Sequence, residues 1–257
     1  LYALFESSWT FFRWNKPQKA LGQLHTLNSP YFIDEYLPEA PILESVVFFS
    51  NCKYDKAKDA LERFNETYSP LRDELRGYLD SFQDPLEFYA FLGRLQDSGA
   101  AISPRVSQIL SAAFADKKLK RLNAYIRELD RELRSIRKGQ AVWSKSRLAE
   151  TIVQDIEVIK SLAEKDAGEL ARKRLTRVTR ELDDLFQQYQ TIQFELISQE
   201  RTNLERELAN VQVAKRQGRQ SKIRPKDDEH LFYPFTGEYW RDELGYYLYN
   251  VQSECAR

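Results

Sequence analysis

The chain has 257 residues, and its 39 Lys and Arg residues balance its 39 Asp and Glu residues. This neutrality excludes an overall field that would attract the chain to nucleic acid or to an acidic membrane surface. The mean hydropathy is −0.61, and no apolar run approaches the roughly 20 residues that a transmembrane helix needs. Only nine Gly and nine Pro are present, which favours long helices over a β architecture with many turns.

The N-terminal residues contain an internal repeat with a period of 37 residues. A small residue, an aromatic residue, an alanine and a large apolar residue recur at the spacing that lets two helices cross closely. Asn15 to Pro17 and Asn51 to Lys53 occupy the predicted turns, while Pro30 and Pro70 are expected to end the second helices. The recurring residues are Ser8, Phe11, Phe12, Lys16, Lys19, Ala20 and Leu24, which become Ser45, Phe48, Phe49, Lys53, Lys56, Ala57 and Leu61.

In these positions the sequence resembles the tetratricopeptide repeat (TPR) family. It departs from that family at Leu4 and Pro41, where Trp is common, and its period exceeds the usual value of about 34. The alternative interpretation is two ordinary helical hairpins that align by chance.

Residues 70 to 98 are predicted to form two short helices, the second capped by Asp84 and starting at Pro85. Ser103 and Pro104 indicate the start of another helix. Two runs of apolar residues at steps of three and four then predict an antiparallel coiled-coil hairpin with its turn at Gly139. These runs are Leu119, Leu122, Ile126, Leu129, Leu133 and Ile136, followed by Leu148, Ile152, Ile156, Ile159 and Ala163.

Heptad steps resume from Ala171 to Leu196 after a slip near Gly168. The slip indicates either a turn or a stutter within one long helix. We predict a projecting coiled-coil rod and not a closed three-helix bundle. The apolar residues form a single narrow stripe on each helix, which suits the packing of two helices better than three.

The C-terminal residues divide into a basic stretch and an aromatic stretch. Six Lys and Arg residues between Lys215 and Lys226 are interpreted as a solvated linker, because the stacking aromatic residues of a nucleic-acid site are absent among them. Eight aromatic residues then lie between Leu231 and Tyr249. Such a density must pack either against the chain itself or against a partner. We expect it to pack back, with a helix over residues 238 to 252.

Few residues suggest chemistry. Cys52 and Cys255 lie far apart in the sequence, so we expect two ordinary thiols, with one long-range pair as the alternative. His25 and His230 lack further metal ligands at suitable spacing. We therefore predict a non-enzymatic protein that has no metal, no cofactor and no nucleic-acid partner.

The stretches Ala20 to Pro30, Pro38 to Ala40 and Gly237 to Gly245 resemble TPR proteins of the adventurous gliding machinery of deltaproteobacteria. That resemblance implies a scaffold in a bacterial cell-envelope or motility assembly, periplasmic or envelope-associated, with the cytoplasm as the alternative. No binding residues carry over from that group.

The sequence thus predicts an all-α protein in three ranges: TPR-like repeats in 1–112, a coiled-coil hairpin in 113–217, and a basic linker with an aromatic C-terminal helix in 218–257. Its predicted function is a protein–protein interaction scaffold that holds a peptide or an amphipathic helix in the repeat groove. The alternative is a homo-oligomeric coiled-coil spacer. The candidate partner-binding residues are Phe12, Trp14, Phe49 and Tyr54, and the candidate residues that fasten the C-terminal segment are Phe235, Tyr239, Trp240 and Tyr246.

Overall fold

A computed structural model describes residues 1–97, 104–114, 116–208 and 231–255. These residues form nine α-helices and no β-strand, which confirms the predicted all-α class. The basic stretch from Lys215 to Lys226 lies outside them. The helices are α1 (Tyr2–Arg13), α2 (Pro17–Leu27), α3 (Glu39–Ser50), α4 (Tyr54–Ser81), α5 (Pro85–Asp97), α6 (Pro104–Phe114), α7 (Lys117–Lys138), α8 (Ala141–Ser144) and α9 (Arg147–Leu208).

The described residues belong to two compact units. The first unit comprises Leu1–Ser69 together with Asp183–Arg257, and the second comprises Pro70–Leu182. Both boundaries lie inside long helices, α4 and α9, so each of these helices contributes residues to both units.

The first unit contains two helical hairpins, α1–α2 and α3–α4, that bury equivalent positions. The small residues Ser8 and Ser45 are fully buried, as are Ala20 and Ala57. The Ser45 hydroxyl donates to the Ala57 carbonyl at 3.0 Å, so the small side chain joins the two helices of its hairpin where their axes approach. The apolar residues buried beside them include Leu21, Leu24, Val47, Phe48, Leu61 and Phe64.

The turns of the two hairpins also match each other. Asn15 and Cys52, 37 residues apart, both adopt the left-handed conformation, with φ of 56° and 58°. In the first turn, the amide of the next residue, Lys16, donates to the Phe11 carbonyl. In the second turn, the Lys53 amide donates to the Phe48 carbonyl in the same way. This pattern is the Schellman motif, which satisfies carbonyl groups at a helix C-terminus.

Pro70 does not end the second helix of its hairpin, contrary to the prediction. Helix α4 continues through it to Ser81. Tyr68, Leu71 and Leu75 are buried on either side of the proline. Their helical spacing provides an apolar face whose packing outweighs the hydrogen bond that the proline removes.

In the second unit, α5 starts as predicted, because Asp84 accepts the amides of Leu86 and Glu87 at 2.9 and 3.0 Å. Helix α6 starts at Pro104 and α7 ends at Lys138, just before Gly139, as expected.

Helices α7 and α9 lie side by side in the second unit and run in opposite directions. Arg137 pairs with Glu157 at 2.8 Å, and Asp130 with Lys160 at 2.7 Å. Residue numbers therefore rise along one helix as they fall along the other. The buried cluster between them consists of Leu129, Leu133 and Ile156, with Ile136, Ile152 and Val153 packed against it. Leu148 and Ile159, assigned to the seam from the sequence, are instead exposed.

Gly168 is not a turn, because α9 runs without interruption through it. A β-carbon at Gly168 would lie 1.8 Å from the Pro85 carbonyl oxygen. The glycine therefore allows the first residue of α5 to contact α9. The slip in the heptad pattern marks this close approach within one helix.

The predicted aromatic C-terminal helix is wrong. Residues 231–255, here called the C-terminal segment, are irregular apart from one 3-10 turn at Arg241–Glu243. Gly237 and Gly245 have φ of 109° and 93°, values that interrupt a helix. The segment's backbone makes a few short turns of its own, at Glu243, Tyr246 and Val251. The amides of Tyr249 and Glu254 bond instead to the helical hairpins.

Candidate functional site

The C-terminal segment lies on the repeats of the first unit. The Tyr249 amide donates to the Gln18 carbonyl at 3.0 Å, and Gln23 Nε2 donates to the Gly245 carbonyl. The Gly245 amide in turn approaches the Thr26 hydroxyl at 3.3 Å. Residue numbers rise along the segment as they fall along α2, so the segment runs antiparallel to that helix.

A close approach at Gly22 permits this arrangement. A β-carbon on Gly22 would lie 1.8 Å from the Tyr247 carbonyl oxygen and 2.6 Å from the carbonyl carbon. Both are backbone atoms, so no side-chain rotation could relieve the contact. Only a glycine in the middle of α2 lets the segment lie directly on the helix.

At its N-terminal end the segment surrounds His25 with aromatic rings. The imidazole centroid lies 4.6 Å from that of Phe235, 5.0 Å from that of Tyr239 and 5.5 Å from that of Tyr247. The Tyr31 hydroxyl donates to the Tyr239 carbonyl at 3.2 Å. Burial among these rings lowers the pKa of His25, and the nearby Glu44 carboxylate opposes this only in part.

Farther along, the segment contacts α3 and α4. The Tyr249 ring packs edge-on against Phe48, with centroids 5.5 Å apart, and the Lys56 ammonium lies 5.7 Å from the Tyr249 centroid. The hydrogen bond between Lys56 and the Tyr249 hydroxyl raises the pKa of Lys56. Val251, two residues on, is buried.

The end of the segment is fastened covalently. Cys52 and Cys255, 203 residues apart in sequence, form a disulfide. The expectation of two ordinary thiols is therefore wrong, and the alternative of a long-range pair holds. The Glu254 amide donates to the Asn51 carbonyl at 3.0 Å, and the Glu254 carboxylate pairs with Lys53. The α3–α4 turn thus presents Cys52 to the C-terminal segment.

The four candidate fastening residues have unequal positions. Phe235 and Tyr239 contact His25 through their rings. The side chains of Trp240 and Tyr246 are 60% and 76% exposed. Further contacts to the hairpins come from Tyr247 and Tyr249, and Val251 is buried.

The four candidate partner-binding residues lie at the two hairpin turns. Trp14 is 65% exposed, and the Lys16 ammonium lies 3.8 Å from its ring centroid. Phe49 and Tyr54 are half-buried, with centroids 5.6 Å apart. Phe12, also half-buried, contacts Trp9 at 6.0 Å. We call Phe12, Trp14, Phe49 and Tyr54 the aromatic turn surface.

Sequence reasoning missed several residues that hold the C-terminal segment. Gly22 carried a usable signal, because an isolated glycine inside a helical pattern often marks a close packing contact. Gln18, Gln23 and Lys56 carried none, because polar residues on a helix are ordinarily solvated.

Comparison with known proteins found no relative. No protein-family profile matches the chain, no curated protein matches it, and no solved structure matches it. In the parts of the chain that the structure describes, no helix is long and apolar enough to cross a membrane. The same parts contain no group of three His, Cys, Asp or Glu residues suited to a metal ion.

Proposed function

We propose that the protein is a non-enzymatic scaffold of the TPR type that binds other proteins. The observation that carries this proposal is the structural repetition of the first unit. Its two hairpins bury the same small residues, Ser8 and Ser45, and end their first helices with the same left-handed turn at Asn15 and Cys52. Stacked hairpins of this kind bury a shared core and leave their turns and outer faces to contact partners.

The aromatic turn surface is the proposed contact for a partner peptide or amphipathic helix. Trp14 and Tyr54 occupy equivalent ends of the two hairpins, and aromatic residues are enriched among those that dominate binding energy. Lys16, beside Trp14, adds a charge that favours an acidic residue next to the partner's apolar face.

Affinity purification with paired variants tests this proposal. We expect Trp14→Ala combined with Phe49→Ala to reduce retention of the partner by about tenfold or more, since each residue that dominates an interface contributes about 1 kcal/mol or more. Tyr233→Ala is the matched control, because Tyr233 is an exposed aromatic residue of the C-terminal segment. Equal retention by the wild type, the double variant and the control would contradict the proposed surface.

The second candidate function is a homo-oligomeric spacer built on a coiled coil. We propose that α7 and α9 form the coiled-coil hairpin of the second unit. Near the end of α9, an apolar stripe favours pairing with a second chain, because its residues keep heptad steps while exposed. The stripe consists of Phe194, Ile197, Leu204 and Leu208.

Light scattering at micromolar concentration separates the two functions. The scaffold predicts a monomer, and the spacer predicts a dimer or larger assembly that Leu204→Glu would dissociate. Val142→Glu is a suitable control, because Val142 is exposed on α8. A monomeric wild-type chain would exclude the function of a homo-oligomeric spacer.

The disulfide supports a proposed location in an oxidising compartment, since disulfides persist in the periplasm or outside the cell and are rare in the cytosol. A cell-envelope or motility assembly is consistent with that location. Alkylation of intact cells before lysis tests the location. An oxidised Cys52–Cys255 pair is expected, and free thiols would contradict it.

A further inference from the structure

The surface under the C-terminal segment has the features of a peptide-binding groove. We call it the α2 groove and define it by Gln18, Gly22, Gln23, Asn51 and Lys56. Three of these residues contact the backbone of the segment: Gln18 and Asn51 accept its amides, and Gln23 donates to its carbonyl. Such contacts recognise the main chain of a peptide whatever its side chains.

Three side chains of the bound segment are held at every second position. Tyr247 packs against His25, Tyr249 packs against Phe48, and Val251 is buried. Of the residues between them, Leu248 is half-buried and Asn250 is exposed. The groove therefore holds two aromatic residues and one aliphatic residue of this segment. Lys53 adds a site for an acidic residue, which Glu254 fills.

The disulfide determines how firmly the chain's own segment occupies this groove. Cys255 follows Glu254 directly, so a bond to Cys52 holds the segment at the end where Val251 and Tyr249 enter the groove. A tethered segment competes at an effective concentration on the order of millimolar even without that bond. With the bond intact, an external peptide cannot compete.

We propose that the α2 groove is a binding site for a peptide of the form aromatic–x–aromatic–x–aliphatic, and that the Cys52–Cys255 disulfide closes it by locking the chain's own segment in place. A dithiol reductant opens it. The dithiol supplies two electrons and two protons, the Cys52–Cys255 bond becomes two thiols, and the dithiol becomes a disulfide.

This site shares the α3–α4 turn with the aromatic turn surface but uses different residues, Asn51 and Lys53 instead of Phe49 and Tyr54. Its failure would leave the scaffold proposal standing, because the two are tested with different probes and different variants.

Covalent capture of a peptide tests the groove. The probe is a synthetic peptide of residues 238 to 255 whose cysteine carries a thionitrobenzoate group as a mixed disulfide. The protein is the full chain with Cys255→Ser, so that Cys52 is its only cysteine. The Cys52 thiolate attacks the cysteine sulfur of the peptide, a new disulfide forms, and the coloured thionitrobenzoate anion leaves.

We expect capture to be about tenfold faster than with a scrambled peptide of the same composition, and to saturate with peptide concentration, because binding places the two sulfurs together. Gly22→Ala in the same background should abolish this advantage. Gly77→Ala should retain it, because a β-carbon at Gly77 would meet no atom within 4 Å. Equal rates for the two peptides, or an advantage that survives Gly22→Ala, would overturn the groove.

Two further measurements test the closing role of the disulfide. A fluorescent peptide with Ser in place of Cys255 should not bind the oxidised wild-type chain. It should bind the Cys255→Ser chain with half-saturation on the order of millimolar, the effective concentration of the competing tethered segment. Equal binding to the oxidised wild-type chain and to the Cys255→Ser chain would show that the disulfide does not close the groove. The Cys255→Ser chain must also keep its helical circular dichroism, since the groove has to survive opening, and loss of that signal would equally overturn the proposal.

Discussion

Replacing Gly22 by alanine should destabilise the first unit, although the same change normally stabilises a helix. Gly22 lies in the middle of α2, where alanine is favoured over glycine by about 1 kcal/mol. Here the new β-carbon would lie 1.8 Å from the Tyr247 carbonyl oxygen. The C-terminal segment would have to move away from the helix.

The size of the effect follows from the contacts that this movement removes. Three hydrogen bonds join this part of the segment to α2, and they involve Gln18, Gln23 and Thr26. At about 1 kcal/mol each, their loss outweighs the gain in helix propensity and leaves a net loss of about 2 kcal/mol. Repacking of Tyr247 and Tyr249 would add to it.

Other glycines of the chain serve as controls. A β-carbon at Gly77 or Gly93 would meet no atom within 4 Å, so alanine there should stabilise the protein by about 0.5–1 kcal/mol. Gly168→Ala should destabilise the second unit, because of the Pro85 carbonyl oxygen at 1.8 Å. Thermal unfolding followed by circular dichroism measures all four variants. A Gly22→Ala chain as stable as Gly77→Ala would refute the close approach.

Three further predictions concern the disulfide, His25 and Asn15. Cys52→Ser removes a link across 203 residues and should lower the free energy of unfolding by up to about 5 kcal/mol; an unchanged denaturant midpoint in the oxidised state would contradict it. Because burial holds the pKa of folded His25 below 6.5, only the unfolded state gains a proton as the pH first falls below 6.5, so stability should decline there and level off below the folded-state pKa. His25→Gln should flatten that decline, as thermal midpoints measured across the pH range would show. Asn15→Gly should stabilise the chain by up to about 1 kcal/mol, since glycine adopts the left-handed conformation without strain; a lower thermal midpoint would oppose this.

Local features of the two hairpins and of the start of α5 were predictable because they depend on neighbouring residues. The 37-residue period placed the turns at Asn15 and Cys52, and both are Schellman turns. Asp84 was recognisable as a helix cap from its place before Pro85. These signals act over three or four residues of chain, the range within which helix starts, stops and faces are determined.

Predictions failed where packing between distant residues outweighed a local preference. Pro70 predicted a helix end, but the apolar face of Tyr68, Leu71 and Leu75 continues across it. Gly168 permitted either a turn or a stutter, and contact with Pro85 determines that α9 continues. The residues next to Pro70 and Gly168 do not determine whether the helix ends or continues there.

The balanced composition, the helical class and the internal repeat are properties of the sequence by itself, because they follow from residue counts and short-range periodicity. The irregular path of the C-terminal segment and the Cys52–Cys255 disulfide were decided only by the tertiary structure. The segment's backbone bonds to α2 and to the α3–α4 turn, whose residues lie more than 200 positions earlier in the chain. No pattern within the segment encodes those partners. Its aromatic spacing therefore suggested a helix where contact with the hairpins imposes an irregular chain.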